Sequence, residues 1–197
     1  MKNLQLKYSY EIKEGDIVIK KIRPRKCKSF TRNFSYLVFA SFGFGYVTAV
    51  DTSNVTTAST MRGITNGGVY IFKVTTGTSG ITTSGVLVGT GSTTPTINDY
   101  AMETLIAHGT SAGELQYGAT TVGSPSATAN TATFRTTRIF TNGSGGSITV
   151  EEIGLVCYTG VIDGASYYFL IIHDVTGGVA VADGQSLTIN YDLTTTI

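Results

Sequence analysis

A chain of 197 residues is long enough to bury one sizeable core, and no apolar run in it approaches the length of a membrane span. The N-terminus, Met1-Lys-Asn-Leu-Gln5, lacks the apolar stretch of a secretion signal. Charged residues make up only 14%, and the net charge of +1 conceals two opposite parts: residues 1–32 carry a net +7 and residues 33–197 a net −6.

In chain order, Leu4-Gln-Leu-Lys-Tyr-Ser-Tyr10 alternates apolar and polar positions and reads as a half-buried strand. Glu14-Gly15-Asp16 is a turn and Ile17-Val-Ile-Lys-Lys-Ile22 a second strand, so the two form a hairpin. Arg23-Pro-Arg-Lys-Cys-Lys28 is a basic connector that Pro24 keeps irregular. Residues 1–28 are therefore expected to form a basic hairpin arm, dispensable for folding of the rest of the chain. Ser29–Phe42 reads as the one helix, capped by Ser29 and stopped by Gly43, with Phe30, Phe34, Leu37, Val38 and Ser41 on one stripe.

Residues 43–197 read as the β domain. Tyr46–Val50, Val69–Thr75, Gly85–Gly89 and Glu114–Tyr117 are strand candidates. Thr52–Thr60 and Ser124–Asn130 are polar loops. Thr96–His108 is expected to hold a helical turn or two, with Asp99 as cap. From Ala132 onward come four strand runs, Thr133–Phe140, Ser147–Tyr158, Tyr167–Ile172 and Leu187–Leu193, punctuated by Asn142-Gly, Gly177-Gly178 and Asp183-Gly184. This meander predicts an antiparallel sheet within a β-sandwich or jelly roll. Phe134, Ile148, Val150, Phe169, Ile171, Leu187, Ile189 and Tyr191 are the expected core.

Chemistry is sparse. Gly89-Thr-Gly-Ser-Thr-Thr-Pro95 lacks the Lys-Ser/Thr ending of a phosphate loop and reads as a Gly-rich loop. His108 and His173 have no second ligand at a metal spacing, and the adjacent His173-Asp174 offers no identifiable nucleophile, so His173 reads as a structural histidine. Glu151 and Glu152 point to opposite faces of a strand and cannot act together on one substrate. Glu152 falls on the face of Ile148 and Val150 and needs a partner there, with Arg135 or Arg138 as the candidates. Cys27 and Cys157 show no spacing pattern, and two free thiols are the expected state. No catalytic residue, metal ligand or cofactor is assigned. The strongest functional signal is the basic cluster Lys20, Lys21, Arg23, Arg25, Lys26, Lys28 and Arg32, which fits an acidic neighbouring subunit or nucleic acid. Low charge argues for surface covered by other copies, so a homo-oligomer is expected.

Three segments carry a resemblance. They are Val86-Leu-Val-Gly-Thr-Gly-Ser-Thr-Thr-Pro-Thr-Ile-Asn-Asp-Tyr-Ala-Met-Glu103, Phe140-Thr-Asn-Gly-Ser-Gly-Gly-Ser-Ile-Thr-Val-Glu-Glu-Ile-Gly-Leu155 and Asp183-Gly-Gln-Ser-Leu-Thr-Ile-Asn-Tyr-Asp-Leu193. Their order resembles small structural proteins of tailed bacteriophages, of the head, collar or tail-fibre type. The likeness covers roughly Gly85 to Ile197. It implies a virion protein made in the host cytoplasm, without catalytic residues, that binds its own copies and other virion proteins. On that reading the basic cluster and the helix stripe Phe30, Phe34, Leu37 and Val38 are the docking elements. A receptor- or glycan-binding tip is the alternative, with Tyr46, Tyr100 and Tyr117 as the tyrosines to inspect, and nucleic-acid contact through the basic segment is a third reading.

Overall fold

The first and last strands of the chain lie side by side. β1 (Asn3–Glu14) pairs antiparallel with β13 (Gln185–Thr196) from Asn3↔Thr196 to Glu14↔Gln185. They are the middle of an eight-stranded sheet in the computed structural model, which describes residues 3–27, 30–41, 47–59, 72–160 and 166–196. Beyond β1 lie two short edge segments, β2 (Ile17–Lys21) and β3 (Arg25–Lys26). Beyond β13 lies β10 (Thr131–Thr141), edged by β7 (Gln116–Tyr117), β8 (Thr121–Val122) and β9 (Ser126–Ala127).

The second sheet has the order β12 (Ser166–Val181), β11 (Ile148–Gly160), β6 (Gly85–Gly89). A two-stranded ribbon, β4 (Val47–Val50) and β5 (Thr56–Ser59), and the helix α1 (Arg32–Ser41) complete the described elements. The inward residues of both main sheets, such as Tyr8, Ile12, Leu187 and Ile189 on one and Ile153, Phe169 and Leu170 on the other, form one apolar cluster. The protein is thus mainly β and antiparallel, and its two sheets sharing one core fit a β-sandwich. A division into eight and three strands leaves a jelly roll unconfirmed.

Several expectations change. The hairpin of residues 1–28 is present, but it is no arm: Leu6, Tyr8, Tyr10 and Ile12 are buried in the core, and β1 has neighbours on both sides. The meander divides between the sheets, with β10 and β13 in the large one and the hairpin β11–β12 in the small one. The reason is legible in burial. β10 alternates, burying Thr136, Arg138 and Phe140, as a strand covered on one face does. Ile153 to Cys157 of β11 are buried in succession, as in a strand covered on both faces. Asn142 makes the corner: its side chain donates to the carbonyls of Gly146 (2.7 Å) and Val181 (2.7 Å).

Gly177 and Gly178, with φ of 77° and 88°, do not end a strand; they form a bulge within β12, between the pairs Val150↔Val179 and Glu152↔Val175. Thr52–Thr60 contains β5 rather than loop alone. No helix forms over 96–108; Asp99 instead closes a tight turn by accepting from the Thr96 nitrogen (2.9 Å) and hydroxyl (2.6 Å). The helix begins at Arg32, three residues late, because Thr31 is held to β12 by its nitrogen (Ile171 carbonyl, 3.2 Å) and its hydroxyl (Leu170 carbonyl, 2.6 Å). Ser29, Phe42, Tyr46 and residues 69–71 lie outside the described residues; residues 72–75 of the expected strand are described and form only the isolated bridge Lys73↔Tyr158.

Seven of the eight expected core residues are buried; Phe134, at 37% exposure, is the exception. Phe169 lies opposite Cys157 in the β11–β12 ladder and is fully enclosed. Phe169→Ala is expected to cost about 3–5 kcal/mol, read from the denaturant midpoint. A loss well under about 1 kcal/mol would mean that the ring is not enclosed and that the β11–β12 register is wrong.

Candidate functional site

The basic cluster lines the open edge beside β1. Lys20, Lys21, Arg23, Arg25 and Lys26 are all exposed, whereas Arg32 is half-buried at the start of α1; Lys28 lies outside the described residues. Three of the charges have local partners, Arg25 among them through a hydrogen bond to the Tyr8 side chain. Lys21 Nζ meets Glu11 Oε2 at 2.9 Å, and Lys20 Nζ sits 5.9 Å from the centre of the Tyr10 ring. On the same edge strand Ile17, Val18 and Ile19 are exposed by 69%, 47% and 53%. Three consecutive exposed branched residues on an edge strand are unusual for a chain that ends its contacts there.

The helix stripe divides. Leu37 is buried with Asn33 and Ala40, and Asn33 locks the helix to β4 by donating to the Val50 carbonyl (2.8 Å) and accepting from the Val50 nitrogen (3.2 Å). Phe30, Phe34 and Val38 are half-buried and line an apolar cavity of about 280 Å³ with Leu6, Phe134 and Tyr191. Ser41 is exposed rather than part of the stripe.

The densest polar cluster was not assembled from the sequence. Asp174 points toward the large sheet, where its charge is felt at Cys27, Tyr8 and Tyr191. Its neighbour His173 therefore faces the other way, beneath the loop 90–105, and the two cannot work as a dyad. His173 Nδ1 lies 2.7 Å from Asp99 Oδ2, and Nε2 lies 2.8 Å from Glu152 Oε2. Glu152, wholly buried, also accepts from the backbone nitrogens of Gly91 (3.1 Å), Glu103 (3.0 Å) and Thr104 (2.7 Å). Its partner is thus the histidine diagonally across on β12, not Arg135 or Arg138. Arg135 instead forks onto Asp192 on the outer face (2.6 and 2.8 Å).

The Gly-rich stretch 89–91 now has a physical reason: a Cβ on Gly89 would collide with the Glu152 carboxylate, and one on Gly91 would meet it at 2.7 Å. Burial alone would lower the pKa of His173, but its bonds to Glu152 and Asp99 outweigh burial and hold it above the ordinary value. Burial would likewise raise Glu152 and Asp99. The His173 bond and backbone donors for Glu152, and Thr96 and His173 for Asp99, hold both below the usual carboxylate range. The cluster is a carboxylate–imidazolium–carboxylate bridge with both ring nitrogens engaged, so neither is available to a substrate or a metal. Among the described residues no group of three or more His, Cys, Asp or Glu is arranged to hold a metal ion.

A shallow pocket of about 410 Å³ opens beside the bridge, lined by Thr93, Asn98, Asp99, Tyr100, Glu103 and His173 among others. Of the three tyrosines singled out for a binding tip, Tyr100 lines this pocket, while Tyr117 is buried and donates to the carbonyls of Ile106 (2.6 Å) and Val88 (3.2 Å). Tyr46 lies outside the described residues.

Arg138 was legible only as a member of a strand face. It is fully buried, and its guanidinium donates to five backbone carbonyls: Gly118 (2.7 Å), Ser84 (3.1 Å), Val86 (2.9 Å), Thr78 (3.0 Å) and Ile81 (2.6 Å). Its Cζ sits 4.8 Å from the Tyr117 ring centre. Both cysteines are free thiols; burial pushes Cys157 up to about 12 and raises Cys27, whose neighbour Asp174 adds to the effect.

No family model, curated protein or solved structure matches this chain. The described surface therefore has to speak through its own chemistry.

Proposed function

We propose that this chain is a non-enzymatic structural subunit of a tailed-phage virion, a homo-oligomer that binds its own copies and other virion proteins in the capsid, collar or tail. The observation that carries the reading is the β2–β3 edge. It combines an edge strand with no partner on its outer side among the described residues, three exposed branched side chains and five exposed basic residues. An open edge accepts an extended segment through main-chain hydrogen bonds, with side chains supplying specificity. Basic residues beside it favour an acidic partner and speed its approach in a salt-dependent way. The polar cluster around His173 adds support, because its groups are spent on one another rather than held ready for substrate.

The test is Val18→Lys together with Ile19→Lys. Both positions are exposed, so the fold is expected to keep its stability within about 0.5 kcal/mol. Incorporation into purified particles, measured as copies per particle, is expected to fall at least about tenfold, the equivalent of about 1.4 kcal/mol in binding. Normal incorporation would remove the edge from the assembly; absence of the unaltered protein from particles would overturn the virion reading itself.

A glycan- or receptor-binding tip is the second reading, favoured by Tyr100 beside Asn98 and Asp99 in the open pocket. Nucleic-acid contact through Lys20, Lys21, Arg23, Arg25 and Lys26 is the third, and it requires a steep fall of binding with salt.

A further inference from the structure

Asp99, His173 and Glu152 play no part in the assembly surface. We propose that residues 92–103 are a pH-controlled latch, shut while His173 carries both ring protons and released when one leaves for solvent.

The geometry supplies the argument. Each ring nitrogen of His173 faces a carboxylate oxygen, at 2.7 and 2.8 Å. An ionised carboxylate can only accept, so both nitrogens must donate, which only the imidazolium can do. Loss of one proton turns a nitrogen lone pair toward a carboxylate. The local charge then falls from −1 to −2 at a place where His173 is 4% exposed and Glu152 is 0% exposed.

Among the described residues, His173 is the side chain through which strand β12 grips the middle of this loop. Asp99 belongs to the loop and is fixed within it by Thr96. Glu152 belongs to β11 and holds the loop by the nitrogens of Gly91, Glu103 and Thr104. The ends of the loop are secured independently, by Thr90 N to the Thr104 carbonyl (2.8 Å) and Ile106 N to the Val88 carbonyl (3.0 Å). Its tip has a further backbone tie, Arg32 N to the Ile97 carbonyl (2.8 Å). Release therefore breaks the hold of β12 on Asp99 and disturbs the Glu152 carboxylate that holds Glu103 and Thr104, while the Arg32–Ile97 tie and the sheets stay intact.

The neighbouring charges favour the imidazolium. On the loop, Glu103 adds a third carboxylate, turned to the Thr93 nitrogen (2.9 Å) and hydroxyl (2.7 Å) and close enough for its charge to be felt with Glu152. On β11, Glu151 lies beside Glu152, toward Gly178. On β12, Asp174 faces the opposite side of the sheet. β6 contributes no titratable residue, and Tyr117, on β7, meets Glu152 through space. α1 brings Arg32 to the tip at Ile97.

The signs of the linkage give a window. The folded pKa of His173 is raised, so its contribution is complete below the ordinary value of about 6.5 and disappears as pH rises through the raised value. Asp99 and Glu152 are lowered, so theirs is complete above the ordinary carboxylate range and disappears as pH falls through the depressed values. The latch is tightest between the two.

The test needs no substitution. Proton–nitrogen NMR of the His173 ring is followed from pH 5 to 9 alongside amide hydrogen exchange at Glu103 and Thr104, with β1 and β13 amides as the reference for global opening. Both ring nitrogens are expected to be protonated at pH 6. From about pH 6.5 up to the raised pKa, the opening constant at Glu103 and Thr104 should climb about tenfold per pH unit beyond the intrinsic rate, while the reference amides do not follow. His173→Gln should remove that slope and leave the loop open at every pH. A ring that titrates at or below the ordinary histidine value overturns the proposal, as does pH-independent opening of the two amides in the unaltered protein. Neither result bears on incorporation into particles.

Discussion

Deletion of residues 1–28 is expected to abolish the cooperative thermal transition of this protein. The segment looks detachable by charge, with its Lys and Arg residues set against a net acidic remainder. Its packing says otherwise. Leu6, Tyr8, Tyr10 and Ile12 are exposed by only 3–5%, and burying side chains of this size contributes roughly 1.5–3 kcal/mol each. Four of them amount to roughly 6–12 kcal/mol, as large as the roughly 5–15 kcal/mol by which a whole domain is stable. The deletion also strips β13 of one of its two neighbours along its whole length, leaving only β10. Calorimetry and near-ultraviolet circular dichroism of the truncated chain are the measurements. A sharp transition near the original temperature would show that β1 is an accessory strand and restore the arm.

Arg138→Met is expected to cost about 3 kcal/mol, because a buried carbonyl left without its donor costs about 1–3 kcal/mol and this change takes the donor from two buried ones, Ser84 and Val86, and from the part-buried carbonyls of Gly118 and Ile81, while that of Thr78 keeps the Ile81 nitrogen. Met is close in volume and removes the donors, so the loss measures the hydrogen bonds more than a cavity. None of the five acceptors is a carboxylate; carbonyl dipoles from the 78–86 segment and Gly118 stand in for a counter-ion. Burial lowers the guanidinium to about 10, so it stays charged at neutral pH. Arg138→Lys should recover little, since an ammonium has three donors and cannot span five carbonyls set around a planar fork. Urea denaturation of both variants decides the matter. A loss under about 1 kcal/mol for Arg138→Met would mean that water takes over the carbonyls, and that the segment is held by other contacts.

The strands themselves were legible because their signals are local. Alternation at Leu4–Tyr10 and Thr133–Phe140, and Gly or Asn turns at Gly15, Asn142 and Gly184, announce themselves in a few residues. The plain expectation for His173, a paired structural histidine, was sound in kind, but its partners lay 21 and 74 residues away. Spacing carries no signal of that sort. A buried Glu on a strand that is otherwise apolar did announce that a partner was required, and it could not say which one.

What the sequence determined by itself was therefore the class of element at most positions, the antiparallel β character, and the need to neutralise Glu152. What only the tertiary structure decided was allegiance. β11 and β12 left the meander for a second sheet, and β1 became the inner neighbour of β13 instead of an arm. Phe134 turned out half-exposed while Arg138, two positions on from Thr136 on the same face, went fully inside. Period and turn chemistry act over a handful of residues, whereas the choice of neighbour is made by the free energy of burying whole faces, summed over segments that meet only once the chain has folded.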